Sequence, residues 1–180
     1  MKKNICIVRH GQTEHNQKKL CSGISNIGLT VLGEYQARML GKALRAFSIC
    51  KILSSDLQRA VQTAILMNEQ LNASITYNEL LRERSYGSLE GCPAEEYHEL
   101  QLISGSSRLD FKPPGGESYA EVKIRIAKVV DLICGDPTTG DVAIVAHEGV
   151  NRVLLSMLVG GERGIGYGVS TRFKKLLLNP

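Results

Sequence analysis

What this 180-residue chain lacks narrows its class first. It contains no run of about eighteen consecutive apolar residues, the length a membrane-crossing helix needs, so no membrane association is expected. Met1-Lys2-Lys3 leads into a short mixed segment rather than a signal-peptide hydrophobic region, which predicts a cytoplasmic protein. The five cysteines, Cys6, Cys21, Cys50, Cys92 and Cys134, are odd in number, scattered and without Cys-x-x-Cys spacing. That pattern argues against a disulfide framework or a zinc knuckle and predicts reduced thiols, mostly in core or near-core sites. None has an arginine six positions on, which removes the Cys-x5-Arg chemistry of cysteine phosphatases. Charge of one sign is scarce as well: the net charge is +4 with Lys and Arg dispersed, so no nucleic-acid face is expected, although a small anion needs only a local positive pocket. No repeat or interdomain linker interrupts the chain, and a single domain over residues 1–180 is the expectation.

What is present is organised as alternating strands and helices. Apolar runs predict strands at Asn4 to Val8, Lys51 to Ser54, Ser74 to Tyr77 and Asp141 to Ala146. Helical periodicity predicts helices near Thr30 to Phe47, Leu57 to Leu71, Ala94 to Ile103, Glu117 to Cys134 and Val150 to Leu158. The alternation implies an α/β fold, a three-layer α/β/α sandwich on a mostly parallel central sheet, whose right-handed crossovers bring the loops after the strands to one side. Ligands bind at that side of open α/β sheets. Residues 160–180, rich in glycine, serine and basic residues, lack the apolar final strand that would complete the sheet; Lys175 to Leu178 are the nearest thing to a short edge strand.

Three polar clusters follow strands. The first strand breaks into Arg9-His10-Gly11-Gln12-Thr13-Glu14-His15-Asn16, the second into Ser54-Ser55-Asp56, and the last into His147-Glu148-Gly149. Neutral imidazole is nucleophilic near pH 7, so His10 is read as the group that attacks phosphorus, leaving a phosphohistidine for water to open. Arg9 and Arg59 supply planar, charge-assisted donors to the equatorial phosphate oxygens, His147 another donor, and Asn16 an amide. A leaving alkoxide needs a proton; Glu83 is a candidate general acid, though Glu90, Glu95 and Glu96 lie close enough that spacing does not choose among them.

Five segments, Arg9-His10-Gly11-x-Thr13-x-x-Asn16, Ser54-Ser55-Asp56-Leu57-x-Arg59-Ala60-x-Gln62-Thr63-Ala64, Glu83-Arg84-x-Tyr86-Gly87, Gly115-Gly116-Glu117-Ser118 and Ala146-His147-x-Gly149-Val150, resemble in order the signatures of the histidine phosphatase, or phosphoglycerate mutase-like, superfamily. The resemblance covers nearly the whole chain. It implies His10 as nucleophile, Arg9, Arg59 and His147 as the phosphate pocket, Glu83 as proton donor, Asn16 as a further phosphate contact, and neither metal nor cofactor. The expected partners are a small phosphorylated substrate and, at most, a second copy of the chain in a homodimer. One departure stands out: Glu148 replaces the glycine that commonly follows the second histidine, and a carboxylate beside phosphate is tolerable if its side chain points away.

A metal-independent phosphomonoesterase acting through phosphohistidine accounts for every polar segment. A phosphoglycerate mutase uses the same intermediate but needs extra cations; where the mutase pattern carries a substrate-binding lysine and a paired arginine, this chain has Ala94 and an isolated Arg108. A metallohydrolase would need ligand spacing such as His-Glu-x-x-His, which is absent. An inert phosphate-binding module would be expected to have lost the nucleophile or the acid, and both are present.

Overall fold

Along the first strand, β1 (Asn4–Arg9), side chains alternate between two hydrophobic cores: Ile5 and Ile7 enter one, Cys6 and Val8 the other. A strand buried on both faces requires layers above and below it. The computed structural model describes residues 3–137, 139–159 and the strand at 172–176. In it β1, β2 (Ile49–Ser54), β3 (Ser74–Tyr77), β4 (Asp141–Ala146) and β5 (Arg172–Leu176) form one all-parallel sheet in the order β3-β2-β4-β1-β5. One face is covered by α2 (Val31–Leu44) and α3 (Gln58–Asn68), which bring Leu40, Leu44, Ala60, Ala64 and Met67 onto Cys6, Val8, Ile52, Ala143 and Val145. The other is covered by α5 (Tyr119–Gly135) and α6 (Glu148–Val159), where Val122, Ile126, Val129 and Leu154 pack on Ile5, Ile7, Val142 and Ile144. The three-layer α/β/α sandwich is thus observed.

This strand order places β4 between β1 and β2, so the chain leaves β1 in one direction for β2 and β3 and returns later. Crevices form at such reversals, beyond the carboxyl ends of the strands. Register fixes what meets there. Arg9 pairs with Ala146 and Ser54 with Val145, so His10, His147 and Ser55 each emerge one residue later from adjacent strands.

Local chemistry sets the helix ends. Thr30 caps α2 by accepting the Gly33 amide at 3.1 Å, and Ser118 with Glu121 forms a reciprocal capping box at α5. The expected helix to Phe47 stops at Leu44 because the Arg45 and Phe47 amides bond three residues back in a tightening turn. The expected helix to Leu71 stops at Asn68, whose side chain exchanges two hydrogen bonds with the Ala73 backbone. Helix α6 begins at Glu148 rather than Val150, with His147 O accepting the Asn151 amide at 2.8 Å. A short helix not expected from periodicity, α1 (Glu14–Gln17), is held by a capping box between Thr13 and Asn16. The fourth helix, α4, spans Ala94–Ile103 as expected.

At the edge, β5 lies at Arg172–Leu176, three residues earlier than the expected Lys175 start; its partner is the β1 backbone, so pairing rather than an apolar pattern defines it. Residues 177 and 178 and the stretch 160–171 of the atypical tail lie outside the described residues. The five cysteines are thiols rather than disulfides; Cys6 and Cys21 are buried and Cys92 and Cys134 half-buried, as expected of most of them, whereas Cys50 is exposed on β2.

Candidate active site

At the carboxyl end of β1 the His10 ring is buried, and its two nitrogens have different neighbours. Nδ1 lies 2.7 Å from the Gly11 carbonyl, and Nε2 lies 3.3 Å from the Arg59 Nε–H. A carbonyl only accepts, so Nδ1 carries the proton, and Nε2 keeps a lone pair that receives the guanidinium hydrogen. Burial, followed by the positive charges of Arg59 and Arg9, holds the imidazole well below its usual range, against the opposing pull of the Gly11 bond. The ring is therefore neutral at pH 7 with Nε2 nucleophilic. Gly11 allows this packing: a Cβ there would come within 2.4 Å of the Gly33 carbonyl. Its amide donates to Thr63 Oγ1 at 3.0 Å.

Arg59 is wholly buried at the first turn of α3. Its Nη1 and Nη2 donate to the carbonyls of Ser25 and Gly23, both at 2.7 Å. The loop supplying those carbonyls is tied to the same helix, since Asn26 Oδ1 accepts the Gln58 amide and Gln62 Oε1 the Leu29 amide. Burial lowers the guanidinium to about 10, with Glu83 and Glu90 pushing upward, so it stays charged at neutral pH. His147 lies one layer deeper. Its ring centroid is 5.1 Å from that of His10, it is fully buried, and it does not line the cavity itself. Its Nε2 is 2.9 Å from Ser55 Oγ, which accepts the Leu57 amide, and its Nδ1 is a buried atom without a partner. Burial, then Arg59 and His10, keeps this ring neutral too.

The cavity in front of these groups measures about 220 Å³ and is lined by Arg9, His10, Asn16, Arg59 and Glu83 among others. Asn16 spends its side-chain oxygen on the Thr13 amide and hydroxyl, leaving its NH2 group to face outward. Glu83 is fixed by the main chain: Oε1 accepts the Arg84 amide at 2.9 Å and Oε2 the Gly149 amide at 3.1 Å. A Cβ at Gly149 would stand 2.7 Å from Glu83 Oε1, so the glycine is what lets the carboxylate close in. Of the four glutamates that spacing left open, Glu83 alone lines this cavity. Glu90 is consumed by the Ile24 and Tyr86 amides and the Ser25 and Ser85 hydroxyls, while Glu95 and Glu96 sit exposed on α4.

Glu148 does not point away. It lines the cavity and pairs with Arg9 Nη1 at 3.1 Å and Arg152 Nη2 at 2.5 Å, an acid neutralised by two cations. Arg9 Nε remains buried and without a partner. Cys21 also lines the cavity, but burial, then Cys92, pushes its thiol up to about 11, so it stays protonated.

Of the outer wall, the sequence offered only Tyr86, which could line the pocket or merely pack; the other members were not expected. Tyr86, Tyr97 and Tyr119 line the cavity and surround the fully buried Arg84, whose guanidinium carbon lies 4.7, 4.8 and 4.4 Å from their ring centres. Among the described residues no carboxylate pairs with Arg84, so the tyrosine rings carry its charge. Arg125, on α5, holds the Glu83 loop through the carbonyls of Leu80 and Glu83 while pairing with Glu117. A signal for Arg152 lay in the i, i+4 spacing from Glu148; Arg84 stands in the Glu83-Arg84-x-Tyr86-Gly87 segment without a role attached to it, and nothing local marks Arg125. Among the described residues no three His, Cys, Asp or Glu side chains cluster as a metal cage, and no helix is long and apolar enough to cross a membrane.

This arrangement has counterparts in known proteins. The chain is 39% identical over 126 residues to the fructose-2,6-bisphosphatase TIGAR B of Danio rerio, covering 67% of this chain and 49% of that protein, so it spans about half the length of that relative. It is 34% identical to the uncharacterized phosphatase PhoE of Bacillus subtilis (88% and 78% covered) and 36% identical to a 2,3-bisphosphoglycerate-dependent phosphoglycerate mutase of Cytophaga hutchinsonii (86% and 76%). Among solved structures, a mycobacterial glucosyl-3-phosphoglycerate phosphatase in complex with VO3 superposes with a TM-score of 0.75 at 28% identity, over 84% of this chain and 79% of that one. A putative alpha-ribazole-5'-P phosphatase from Escherichia coli does so with a TM-score of 0.77 at 26% identity, over 86% and 78%. The histidine phosphatase superfamily (branch 1) pattern runs from residue 5 to 168, through the buried imidazole pair and the carboxylate facing it, and the chain belongs to that family.

Proposed function

We propose that the protein is a phosphomonoesterase that hydrolyses a small phosphorylated metabolite through a phosphohistidine at His10. One observation carries this reading: a buried, neutral imidazole whose Nδ1 proton is held by the Gly11 carbonyl and whose Nε2 lone pair lies beside a charged guanidinium at the cavity. In the first half-reaction His10 Nε2 attacks phosphorus, the ester P–O bond breaks, and Glu83 gives its proton to the departing alkoxide. In the second, the Glu83 carboxylate takes a proton from water, the resulting hydroxide attacks phosphorus, and the P–N bond breaks to release inorganic phosphate. Arg9, Arg59 and Asn16 supply donors to the equatorial oxygens, and His147, packed against His10 behind the cavity wall, would hold that ring in place. Glu148 holds Arg9 in place, its own charge cancelled by Arg9 and Arg152.

Support comes from phosphatases among the relatives and from the fit of the phosphate donors to one cavity. The mutase relative shares the first half-reaction and differs in returning the phosphoryl group to a second hydroxyl. Turnover of p-nitrophenyl phosphate that vanadate inhibits and chelators leave untouched is the expected result. Assays on 2- and 3-phosphoglycerate should release inorganic phosphate; interconversion of the two without release would contradict hydrolysis.

A further inference from the structure

Two cysteines that the proposed chemistry does not use face each other at the rim of the reaction cavity. Leu20 and Pro93 form an antiparallel bridge, with the Cys21 amide donating to the Cys92 carbonyl and the Ala94 amide to the Lys19 carbonyl, both at 2.9 Å. One step along this pairing Cys21 stands opposite Cys92. An extra residue, Gly91, precedes Cys92; its amide donates to the Cys21 carbonyl at 2.8 Å and its φ is 83°. A left-handed glycine that makes two residues of one strand oppose one of the other is a β-bulge, and the Cys21 amide bonded to Cys92 keeps those two in the pairing. A Cβ at Gly91 would meet nothing within 4 Å, so the positive φ alone calls for glycine there.

Directly opposed residues of an antiparallel pair project to the same face with Cβ atoms about 4.5–5.5 Å apart, and a disulfide needs about 3.5–4.5 Å. The two thiols interact, since Cys92 follows burial among the causes that push the Cys21 thiol up. They differ in access: Cys21 is buried beside Leu89, Tyr97 and Phe111 and lines the cavity, whereas Cys92 is half-buried. Cys6, Cys50 and Cys134 lie outside this pairing, on β1, β2 and α5. The pair also joins two working parts of the site. Cys21 leads into the loop whose Gly23 and Ser25 carbonyls hold Arg59, and Cys92 leads into Pro93, the N-cap of α4, whose Ala94 and Tyr97 line the cavity. Glu90 already fastens the first of these parts through the Ile24 amide and the Ser25 hydroxyl, so the loop has little slack. Drawing the two strands together by about 1 Å to close a disulfide therefore pulls on the loop that aims Arg59.

We propose that Cys21 and Cys92 form a redox-modification site: a peroxide links them in a disulfide that impairs the reaction cavity, and a thiol reductant restores it. In the first step the Cys92 thiolate attacks hydrogen peroxide; an S–O bond forms, the O–O bond breaks, and the departing hydroxide takes up the proton that the thiol released, giving water and a sulfenic acid. In the second the Cys21 sulfur attacks the Cys92 sulfur; an S–S bond forms, the S–O bond breaks, and the oxygen leaves as a second water with the Cys21 proton. Two thiols lose two electrons and two protons while one peroxide is reduced to two waters. A disulfide that must pull its strands together is readily reopened, which makes it of the sensing rather than the structural kind.

The test is a hydrogen peroxide titration of the unmodified protein, of Cys92→Ser and of Cys50→Ser, followed by alkylation of the remaining thiols, peptide mapping by mass without reduction, and p-nitrophenyl phosphate assays before and after dithiothreitol. The expected result in the unmodified protein is a pair of linked peptides carrying Cys21 and Cys92, lighter by two hydrogens than the free thiols. With it comes a fall of about fivefold or more in kcat/KM that dithiothreitol restores. Cys50→Ser should behave the same way, while Cys92→Ser should start from the same turnover and keep it through the treatment. No such linkage, a linkage between other cysteines in its place, or a Cys21–Cys92 linkage that leaves kcat/KM unchanged would overturn the proposal, as would an equal and reversible loss in Cys92→Ser. Absence of turnover in the reduced, unmodified protein is a separate result that counts against the phosphomonoesterase reading, and the site is then decided by the peptide map alone.

Discussion

The two ends of the reaction cavity are built by different means. At the deep end, peptide groups fix the reactive side chains: Gly11 O holds His10, the Gly23 and Ser25 carbonyls hold Arg59, and the Arg84 and Gly149 amides hold Glu83. At the outer wall, side chains hold side chains, with Arg84 stacked among Tyr86, Tyr97 and Tyr119 in a cluster that also buries Cys21, Leu89 and Phe111. Peptide partners follow from the backbone trace and resist side-chain substitution. A stacked wall can be repacked by a few substitutions, and under the proposed reaction it would face the leaving group, which would separate chemistry from selectivity within one pocket.

Substitutions at the two ends should therefore fail differently. The largest effect is expected for His10→Ala, which removes the proposed nucleophile and should lower kcat/KM for p-nitrophenyl phosphate by about a thousandfold or more; activity within about tenfold of the unmodified protein would break the comparison. Arg59→Ala should cost about a hundredfold in kcat/KM and most of the vanadate inhibition. It should also cost about 2–4 kcal/mol of stability, because a buried and a half-buried carbonyl lose charged donors. Unchanged vanadate inhibition would take Arg59 out of the phosphate pocket. Glu83→Gln keeps the shape and removes the transferable proton, so alkyl phosphates should slow by about a hundredfold and p-nitrophenyl phosphate by less than about tenfold. Equal losses would argue against proton donation.

Arg84→Met sharpens the contrast from the other side. Loosening the tyrosine wall should raise KM about five- to tenfold with kcat changed less than about threefold, read from full saturation curves. A fall in kcat as large as the rise in KM would mean that the wall reaches into the chemistry.

How far the sequence spoke follows the same division. His10 and His147 were legible because each directly follows a strongly apolar strand, and parallel pairing of Arg9 with Ala146 sets them side by side. Arg59 and Asn16 were legible through the segments around them. The Arg84 cage was not: it gathers residues 84, 86, 97 and 119, and no periodicity links them. What makes Glu148 tolerable beside the cavity was not legible: its charge is neutralised by Arg9 and Arg152, a pairing that its place after His147 does not display. The layers were likewise readable from the alternation of apolar runs and helical periods, whereas the strand order, with β4 between β1 and β2, was not, and helix ends were less so, since Asn68 stops α3 through a side-chain bond to Ala73 that no pattern displays.

The smallest expected effect is on stability against pH. The buried His10 and His147 are held neutral in the fold, well below 6.5, while in the unfolded chain they titrate near that value. Below pH 6.5 the unfolded state binds more protons, so stability should fall as the pH drops, by up to about 1.4 kcal/mol per unit for each ring, and level off once the folded rings protonate. Denaturant unfolding from pH 7.5 downward measures the slope, which should be shallower in His147→Gln. An identical slope in that variant would contradict a neutral His147 in the fold.

The most direct test of the deep end is to trap the covalent intermediate. Incubation with a ³²P-labelled phosphomonoester followed by a rapid alkaline quench should leave label that is stable to base and lost in acid, mapping to the peptide that carries His10 and absent in His10→Ala. Label on another residue, or full hydrolytic activity with no phosphohistidine at any quench time, would contradict nucleophilic attack by His10.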